Sequence, residues 1–214
     1  MSTNGTVIIR PYRPQDRAGL YDVCVRTAHD GGDSRALYPD EELMPGIFAA
    51  PYAHLEPGLA FVADDGERVV GYILGTADTA TFVRRFREEW LPRVEARYPR
   101  PVRPPVTPSE VMVDLLHRPE RMLVPELARY PAHLHIDLLP RYQRRGHGRL
   151  LMRTFLGALE AGGVARVHLG MVTANRAARS FYDRLGFHVV PVEDPGPLTY
   201  LGRATATADG PGGL

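Results

Sequence analysis

Residues 143–148, with the sequence Gln-Arg-Arg-Gly-His-Gly, decide the fold of this chain. They follow an apolar, strand-like run at 134–139 and precede a helical pattern at 149–161. The two glycines let the backbone approach a ligand closely and adopt φ angles that a Cβ would forbid. The helix that follows points its free N–H groups and the positive end of its dipole back at the turn. A strand, a glycine turn and a basic helix start therefore predict a phosphate site, here for the pyrophosphate of a coenzyme.

Composition narrows the class of protein. The 214 residues are enough for one good core, and the net charge of +1 argues against a nucleic-acid binder. No apolar run is long enough to span a bilayer, and the first residues lack the pattern of a secretory signal. Cys24 is the only cysteine, so no intrachain disulfide can form. These features predict a cytoplasmic protein that contacts neither membrane nor nucleic acid.

Outward from the glycine turn, the pattern alternates strands and helices. Before the turn we expect a strand at 6–10, a helix from Pro14, a short helix at 40–49 that ends near Pro51, and hairpin strands at 60–63 and 69–76. After the turn we expect a helix at 149–161, a strand at 165–171, a helix at 175–185, and closing strands at 187–192 and 199–203.

The stretch 82–131 lies between the hairpin and the next strand. Its first part, 82–98, has an amphipathic helical stripe, 99–108 is a proline-rich connector, and 110–130 is helical material interrupted by Pro119 and Pro125. We interpret 82–131 as an insertion that covers the active face, within a single domain at 1–203. The remainder, 204–214, has the composition of a disordered tail.

Three motifs in order give the chain a resemblance to a known family. They are the glycine turn after its strand, the run Val-Thr-Ala-Asn-Arg-Ala-Ala at 172–178 before a helix, and Phe-Tyr-Asp-Arg-Leu-Gly-Phe at 181–187. Together they resemble the GCN5-related N-acetyltransferase (GNAT) family. The resemblance implies an α/β fold with a mixed, mostly antiparallel sheet that is splayed at its centre, flanked by helices, with the helical insertion before the central strand.

A narrower resemblance covers nearly the whole chain. Segments at 30–33, 61–62, 70–72, 90–92 and 201–203 are similar to the acetyltransferase-like domain attached to O-GlcNAcases. In animal members of that group the glycine turn is degraded, whereas here it is intact. This difference favours real acetyl-CoA binding.

The family resemblance also implies a set of site residues. The thioester would lie between the strands at 136–139 and 169–171, which splay apart, and the N–H of Leu138 would stabilise the oxyanion. The residues implied in coenzyme binding are Leu138, Leu139, Gln143, Arg144, Arg145, Gly146, His147, Gly148, Arg149, Asn175, Ala178 and Tyr182. For Asn175 a helix N-cap is the alternative role, and the two are compatible. No metal site is expected.

Two catalytic groups follow from the same comparison. Tyr182 is positioned to protonate the departing thiolate, although a phenol on such a helix is also a common core residue. Asp137, one residue before Leu138, is the first candidate for the general base, and a structural aspartate is the alternative. His133 and His135 share its face of the strand, because strand side chains alternate, and either is a further candidate.

The sequence therefore predicts an acetyl-CoA-dependent N-acetyltransferase that works by direct attack in a ternary complex. One alternative is a non-catalytic module that binds acetyl-CoA, and another is a nucleotide-binding protein of a different fold. The acceptor amine is open between a small molecule and a protein, and the oligomeric state between monomer and homodimer.

Overall fold

A single sheet organises the chain. In the computed structural model, which describes residues 6–206, its strands are β1 (Ile8–Pro11), β2 (Ala60–Asp64), β3 (Val69–Thr76), β4 (Ala132–Leu138), β5 (Arg166–Val172), β6 (His188–Val189) and β7 (Leu198–Ala204). The spatial order is β1-β2-β3-β4-β5-β7-β6. Every neighbouring pair is antiparallel except β4 and β5, which are parallel. The predicted mixed, mostly antiparallel sheet is confirmed.

Helices cover both faces of the sheet. Over the same residues they are α1 (Arg17–Thr27), α2 (Leu43–Phe48), α3 (Ala50–Leu55), α4 (Thr79–Arg85), α5 (Leu91–Val94), α6 (Pro108–Leu116), α7 (His147–Ala161) and α8 (Arg176–Asp183). α1 packs on β3 and β4, and α7 packs on β2, β3 and β4 from the opposite side. The sheet is therefore buried on both faces at its centre, and all eight residues of β3 are buried.

Three prolines begin elements that the sequence analysis did not include. α2 ends shortly before Pro51, as expected, but Pro51 also lies in the first turn of α3, and Pro119 and Pro125 interrupt the helical material by beginning 3-10 turns at Pro119–Met122 and Pro125–Leu127. A proline lacks an N–H and has a preset φ, so it suits the first turn of a helix, where that N–H has no partner. Sequence position alone does not distinguish a proline that ends one helix from a proline that begins the next.

The helical stretch expected over 82–98 lies at 79–94 and is less regular than expected. α4 passes into a π-helical turn at Phe86–Trp90 and then into α5. Phe82, Phe86 and Trp90 are buried, and the Trp90 indole Nε1 donates to the Gly46 carbonyl oxygen at 2.9 Å. The aromatic stripe is therefore part of the core and not a ligand site.

The folded part of the chain extends further toward the C-terminus than the composition indicated. Ala204 is the last residue of β7, and Thr205, which is 2% exposed, donates its N–H to the Ala165 carbonyl oxygen at 3.0 Å. These residues belong to the fold. The rest of the predicted tail, residues 207–214, lies outside the described part of the chain.

The close packing of α7 on β3 makes Gly75 a sensitive position. A Cβ built there would lie 2.3 Å from the His133 carbonyl oxygen and 2.4 Å from the Phe155 ring. We expect Gly75→Ala to lower the free energy of unfolding by about 2 kcal/mol, because both neighbours belong to the packed interior. Gly157→Ala, on an exposed turn of α7 where a Cβ meets nothing within 4 Å, is the matched control. It should leave stability unchanged or raise it, and urea unfolding of both variants measures the difference.

None of the helices between residues 6 and 206 combines the length and the hydropathy required to cross a membrane.

Candidate active site

The centre of the sheet opens between its two parallel strands. β4 and β5 pair only at Ala132 with Val167 and at His133 with His168, although both strands continue for several residues beyond. β3 stays paired with β4 as far as Leu138, and β7 stays paired with β5 along the whole length of β5. The two halves of the sheet therefore diverge, and the facing edges of β4 and β5 border a gap.

The register of β4 aims one backbone N–H into this gap. Leu139 donates its N–H to the Val70 carbonyl oxygen on β3 at 2.9 Å. In an antiparallel ladder, alternate residues point their N–H groups to the partner strand. The N–H of Leu138, one residue earlier, therefore points away from β3 and toward β5, where the two strands have already separated. Leu138 thus lies where the predicted oxyanion donor is required.

The glycine turn connects the end of β4 to α7. Gly146, with φ of 89°, adopts the left-handed conformation and caps the helix, and Arg144 also has a positive φ of 58°. α7 begins at His147, two residues earlier than predicted. Its first N–H groups face the turn, and the side chains of Arg144, Arg145 and Arg149 are exposed around them. The turn thus presents backbone donors and positive charge together, as an anion site requires.

Gly148 serves helix packing. It is part of α7, and a Cβ at this position would lie 3.1 Å from the Phe181 ring on α8. The second glycine thus brings α8 close to the start of α7. This differs from the expectation that both glycines admit a ligand, because only Gly146 has the conformation that excludes a Cβ.

Two side chains hold the turn against the sheet. Gln143 donates from Nε2 to the Leu138 carbonyl oxygen at 2.9 Å, and Tyr142 donates from Oη to Asp65 Oδ2 at 2.5 Å. Asp65 lies in the β2–β3 hairpin turn, so a contact distant in sequence fixes the site. His147 Nδ1 is buried and has no hydrogen-bond partner within residues 6–206. Such a group is usually satisfied by water or a ligand, and a phosphate or amide of a coenzyme suits it.

α8 carries the other two motif residues. Asn175 caps the helix, and its Oδ1 accepts the N–H of Ala178 at 2.9 Å. The N–H of Ala178 is therefore already hydrogen-bonded. Asn175 acts as a helix cap, and Ala178 is a packing residue. Tyr182 is 8% exposed, and its ring packs against Phe187 with centroids 5.5 Å apart. Burial raises the pKa of the Tyr182 phenol, and the charge of Asp137 raises it further, so the phenol keeps its proton at neutral pH.

Asp137 points to the α1 side of the sheet, beside the gap. Its Oδ2 accepts a hydrogen bond from Tyr72 Oη at 2.7 Å. Burial raises the pKa of Asp137 to about 6, and the Tyr72 hydroxyl limits the rise by stabilising the carboxylate. Cys24 lies close to the same pair, and burial raises the pKa of its thiol. An ionised Asp137 and a neutral Cys24 are therefore the expected forms at neutral pH.

The two histidines of β4 belong to a hydrogen-bonded chain. Thr79 Oγ1 donates to the Pro131 carbonyl oxygen at 2.7 Å, so its oxygen accepts the Nδ1–H of His133 at 2.8 Å. The other nitrogen of a neutral His133, Nε2, then accepts from Tyr52 Oη at 2.8 Å, and Tyr52 Oη accepts from His135 Nε2 at 3.1 Å. This pattern leaves the lone pair of His135 on Nδ1.

Burial makes both histidines weak bases. It lowers the pKa of His133 well below its usual value and the pKa of His135 to about 4. His133 also has both ring nitrogens engaged. Of the three side chains considered for the general base, Asp137 has the pKa closest to neutral pH.

The structure brings the predicted residues to one place and adds partners that the sequence did not reveal. Leu138 and Asp137 lie on β4, the glycine turn follows directly, and Tyr182 lies on the helix packed against that turn. Tyr72, Tyr52 and Thr79 were missed, because each meets its partner only through strand register or the packing of a helix against the sheet. Within residues 6–206, no group of three His, Cys, Asp or Glu side chains is placed to hold a metal ion.

Comparison with known proteins agrees with this geometry. Residues 116–187 match the family model of the Acetyltransferase (GNAT) family. The crystal structure of SsHAT is 64% identical in sequence, with a TM-score of 0.91, over 94% of this chain and 99% of that chain. At 16% identity, yncA from Salmonella typhimurium, solved with its cofactor acetyl-CoA, shares the fold with a TM-score of 0.52, over 97% of this chain and 99% of that chain.

A longer relative confirms the narrower resemblance. Protein O-GlcNAcase of Rattus norvegicus is 25% identical over 206 residues, which are 94% of this chain but 22% of that protein. The chain thus spans about a fifth of the curated relatives it matches. A splayed sheet, a glycine turn that opens a helix, and these similarities define an acyltransferase. The chain belongs to the acetyltransferase (GNAT) family.

Proposed function

We propose that this protein is an N-acetyltransferase that transfers the acetyl group of acetyl-CoA to a primary amine by direct attack. The observation that carries the proposal is the gap between β4 and β5, with the N–H of Leu138 directed into it and the turn at Gly146 at its end. An extended pantetheine arm can pair with the exposed strand edges, and its pyrophosphate can bind the first N–H groups of α7.

The turn suits the coenzyme in detail. Gly146 provides the left-handed residue that turns the backbone N–H groups of α7 toward an anion, and three exposed arginines surround them. Nδ1 of His147, which is buried and has no hydrogen-bond partner in the described part of the chain, is a further group that a bound coenzyme can satisfy. The turn is thus built for an anion with several oxygens.

The chemistry divides among three groups. Asp137 accepts a proton from the acceptor amine, directly or through water, and the amine nitrogen forms a bond to the acetyl carbon. The N–H of Leu138 donates to the oxyanion of the tetrahedral intermediate. When the carbon–sulfur bond breaks, Tyr182 gives its proton to the thiolate. The products are an acetamide and free coenzyme A. Because Cys24 is buried with a raised pKa, a covalent acetyl-cysteine route is disfavoured.

A pair of glycine variants tests the coenzyme site. Gly146 and Gly163 lie at opposite ends of α7, with φ of 89° and 75°, and a Cβ on either meets nothing within 4 Å. We expect Gly146→Ala and Gly163→Ala to lower stability by a similar amount, about 1 kcal/mol each, because alanine is strained at positive φ. Only Gly146→Ala should weaken acetyl-CoA binding, by about 10-fold or more, because it reorients the turn. Calorimetric titration measures both affinities, and equal values would contradict the assignment of the turn.

An amine screen tests the reaction itself. The protein with acetyl-CoA is incubated with small amines, peptides with free N-termini and peptides with lysine, and coenzyme A release is followed with a thiol reagent. Release that depends on the acceptor supports the transferase. Coenzyme binding without turnover on any acceptor supports the non-catalytic module instead. Location in the cytoplasm and a monomeric or homodimeric state stay predictions.

A further inference from the structure

Arg121 is a partly buried cation without a partner. It lies on the 3-10 turn Pro119–Met122 of the insertion, and no carboxylate or hydrogen-bond acceptor within residues 6–206 pairs with it. Its neighbours are paired, since Arg118 bonds to Asp114 and Arg87 to Glu120. Arg121 therefore differs from these two arginines in having no ionic partner among residues 6–206.

Arg203 shows how this chain treats another partly buried guanidinium. Burial lowers the pKa of both Arg121 and Arg203. Arg203, however, donates to the carbonyl oxygens of Leu185, Ala204 and Ala206. A guanidinium stays protonated at any ordinary pH, so it cannot relieve burial by neutralisation. An unpaired one is costly to the fold, and a bound anion is a reason to retain it.

The position of Arg121 ties it to the gap. It lines a cavity of about 500 Å³ together with Val124 and Tyr200. Tyr200 stands on β7 opposite Gly170 of β5, which is one side of the gap. On the other side, Met122, the residue after Arg121, contacts Tyr52 (Sδ to Oη, 3.7 Å), and Tyr52 is hydrogen-bonded to both β4 histidines. The guanidinium therefore lies over the face where β4 and β5 separate.

The charges of the cavity are ordered from inside to outside. Glu126, Glu193 and Asp194 line its rim and are exposed. Glu126 Oε1 already accepts the backbone N–H of Glu193 at 3.0 Å, which orients this carboxylate along the rim. The inner end offers Arg121 and the Tyr200 phenol instead. The acidic rim can attract the amine of an incoming acceptor, and the guanidinium behind it can then hold the anionic group.

We propose that Arg121 binds a carboxylate of the acceptor, so that the acceptor is a small amine that also carries a carboxylate, such as an amino acid. This inference rests on the proposed acetyl transfer. The planar fork of a guanidinium matches the two oxygens of a carboxylate. His135 and Asp137 are two residues apart on β4, a rise of roughly 7 Å. A carboxylate at Arg121 and an amine at Asp137 are therefore compatible with one small molecule.

Matched acceptors test the proposal without any mutation. Glycine, 4-aminobutyrate and L-lysine are each compared with the corresponding carboxamide, which keeps the amine and removes the negative charge. We expect kcat/KM for the preferred acid to exceed that for its amide by about 10-fold or more. Equal or better use of all three amides would overturn the inference while leaving acetyl transfer intact.

Arg121→Gln tests the residue, with Arg129→Gln as the control, because Arg129 is an exposed arginine of the same insertion. Arg121→Gln should lower kcat/KM for the acid by about 10- to 100-fold and for its amide by less than about threefold. Arg129→Gln should change neither. Equal losses on acid and amide with Arg121→Gln would assign Arg121 a structural role and contradict the proposal.

Two further measurements keep the outcomes separate. Arg121→Gln should leave the melting temperature unchanged or raise it, because it removes an uncompensated buried charge. A marked drop in melting temperature would indicate that Arg121 supports the fold instead.

If acetyl-CoA binds but no acceptor is acetylated, the proposed function fails. Calorimetric binding of the same acids and amides to the protein loaded with coenzyme A then still tests whether Arg121 binds a carboxylate. Binding of the acids that Arg121→Gln abolishes supports the inference, and no preference for them overturns it.

Discussion

Asp137→Asn is expected to lower kcat/KM for the acceptor by about 100- to 1,000-fold, because the amide cannot take the proton of the attacking amine. The side chain keeps its size and can still accept the hydrogen bond from Tyr72. The loss should therefore fall on turnover, with acetyl-CoA affinity nearly unchanged. Steady-state kinetics with calorimetric titration separates the two quantities.

The pH profile identifies the base. Because burial raises the pKa of Asp137 to about 6, the wild type should lose kcat/KM as the pH falls through about 6. This acid limb should be absent from the residual activity of Asp137→Asn. It should persist in His135→Asn, since the pKa of His135 is lowered to about 4. Loss of the limb in His135→Asn alone would transfer the role of base to the histidine.

Asp137→Asn is also expected to change the stability of the protein in a pH-dependent way. The folded pKa of Asp137, about 6, lies above its ordinary value of 3.8. Between these values the folded protein holds a proton that the unfolded chain has released, so the contribution of Asp137 to stability falls as the pH rises. Above pH 6 the ionised, buried carboxylate lowers the free energy of unfolding. The change in this free energy caused by Asp137→Asn should therefore be more favourable at pH 8 than at pH 4 by roughly 2 kcal/mol. Urea unfolding at pH 4 and pH 8 measures it. An effect of Asp137→Asn on stability that is the same at pH 8 as at pH 4 would contradict the raised pKa of Asp137.

Tyr182→Phe is expected to lower kcat by about 10- to 100-fold while the dissociation constant of acetyl-CoA changes by less than about threefold. The phenol is buried with a raised pKa, so it retains a proton to give to the thiolate. The phenylalanine ring preserves the packing against Phe187. Coenzyme A release measures turnover, and calorimetry measures affinity.

A control separates the role of this hydroxyl from any general effect. Tyr12→Phe changes a partly buried tyrosine beside β1, at the edge of the sheet farthest from β6, and should leave kcat unchanged. Unchanged turnover in Tyr182→Phe would remove Tyr182 from the role of general acid. A parallel loss of coenzyme affinity would assign its hydroxyl to binding.

The strands and the glycine turn could be predicted because their signals are local. Periodicity within short windows predicts the hairpin 60–76, the strand before the turn and the helix after it. The turn at Gly146 was predicted because glycine tolerates the positive φ that such a turn requires. The prolines were predicted to end or interrupt helices, but their role in beginning the next element was missed. Pro51, Pro119 and Pro125 mark the beginnings of turns or helices, and only the path of the chain on either side shows this.

The site divides in the same way. The sequence alone determined the glycine turn at 143–148, because its conformation depends on neighbours in the chain, whereas Asn175 and Tyr182 were selected through the resemblance of contiguous motifs to the family. Only the tertiary structure decided that Tyr72 binds Asp137, that Tyr52 joins the two histidines, and that Arg121 lies over the gap with no ionic partner among the described residues. The first two contacts join residues 65 to 83 positions apart, and the place of Arg121 depends on where the insertion packs. No local pattern encodes strand register or the burial of one arginine among 26.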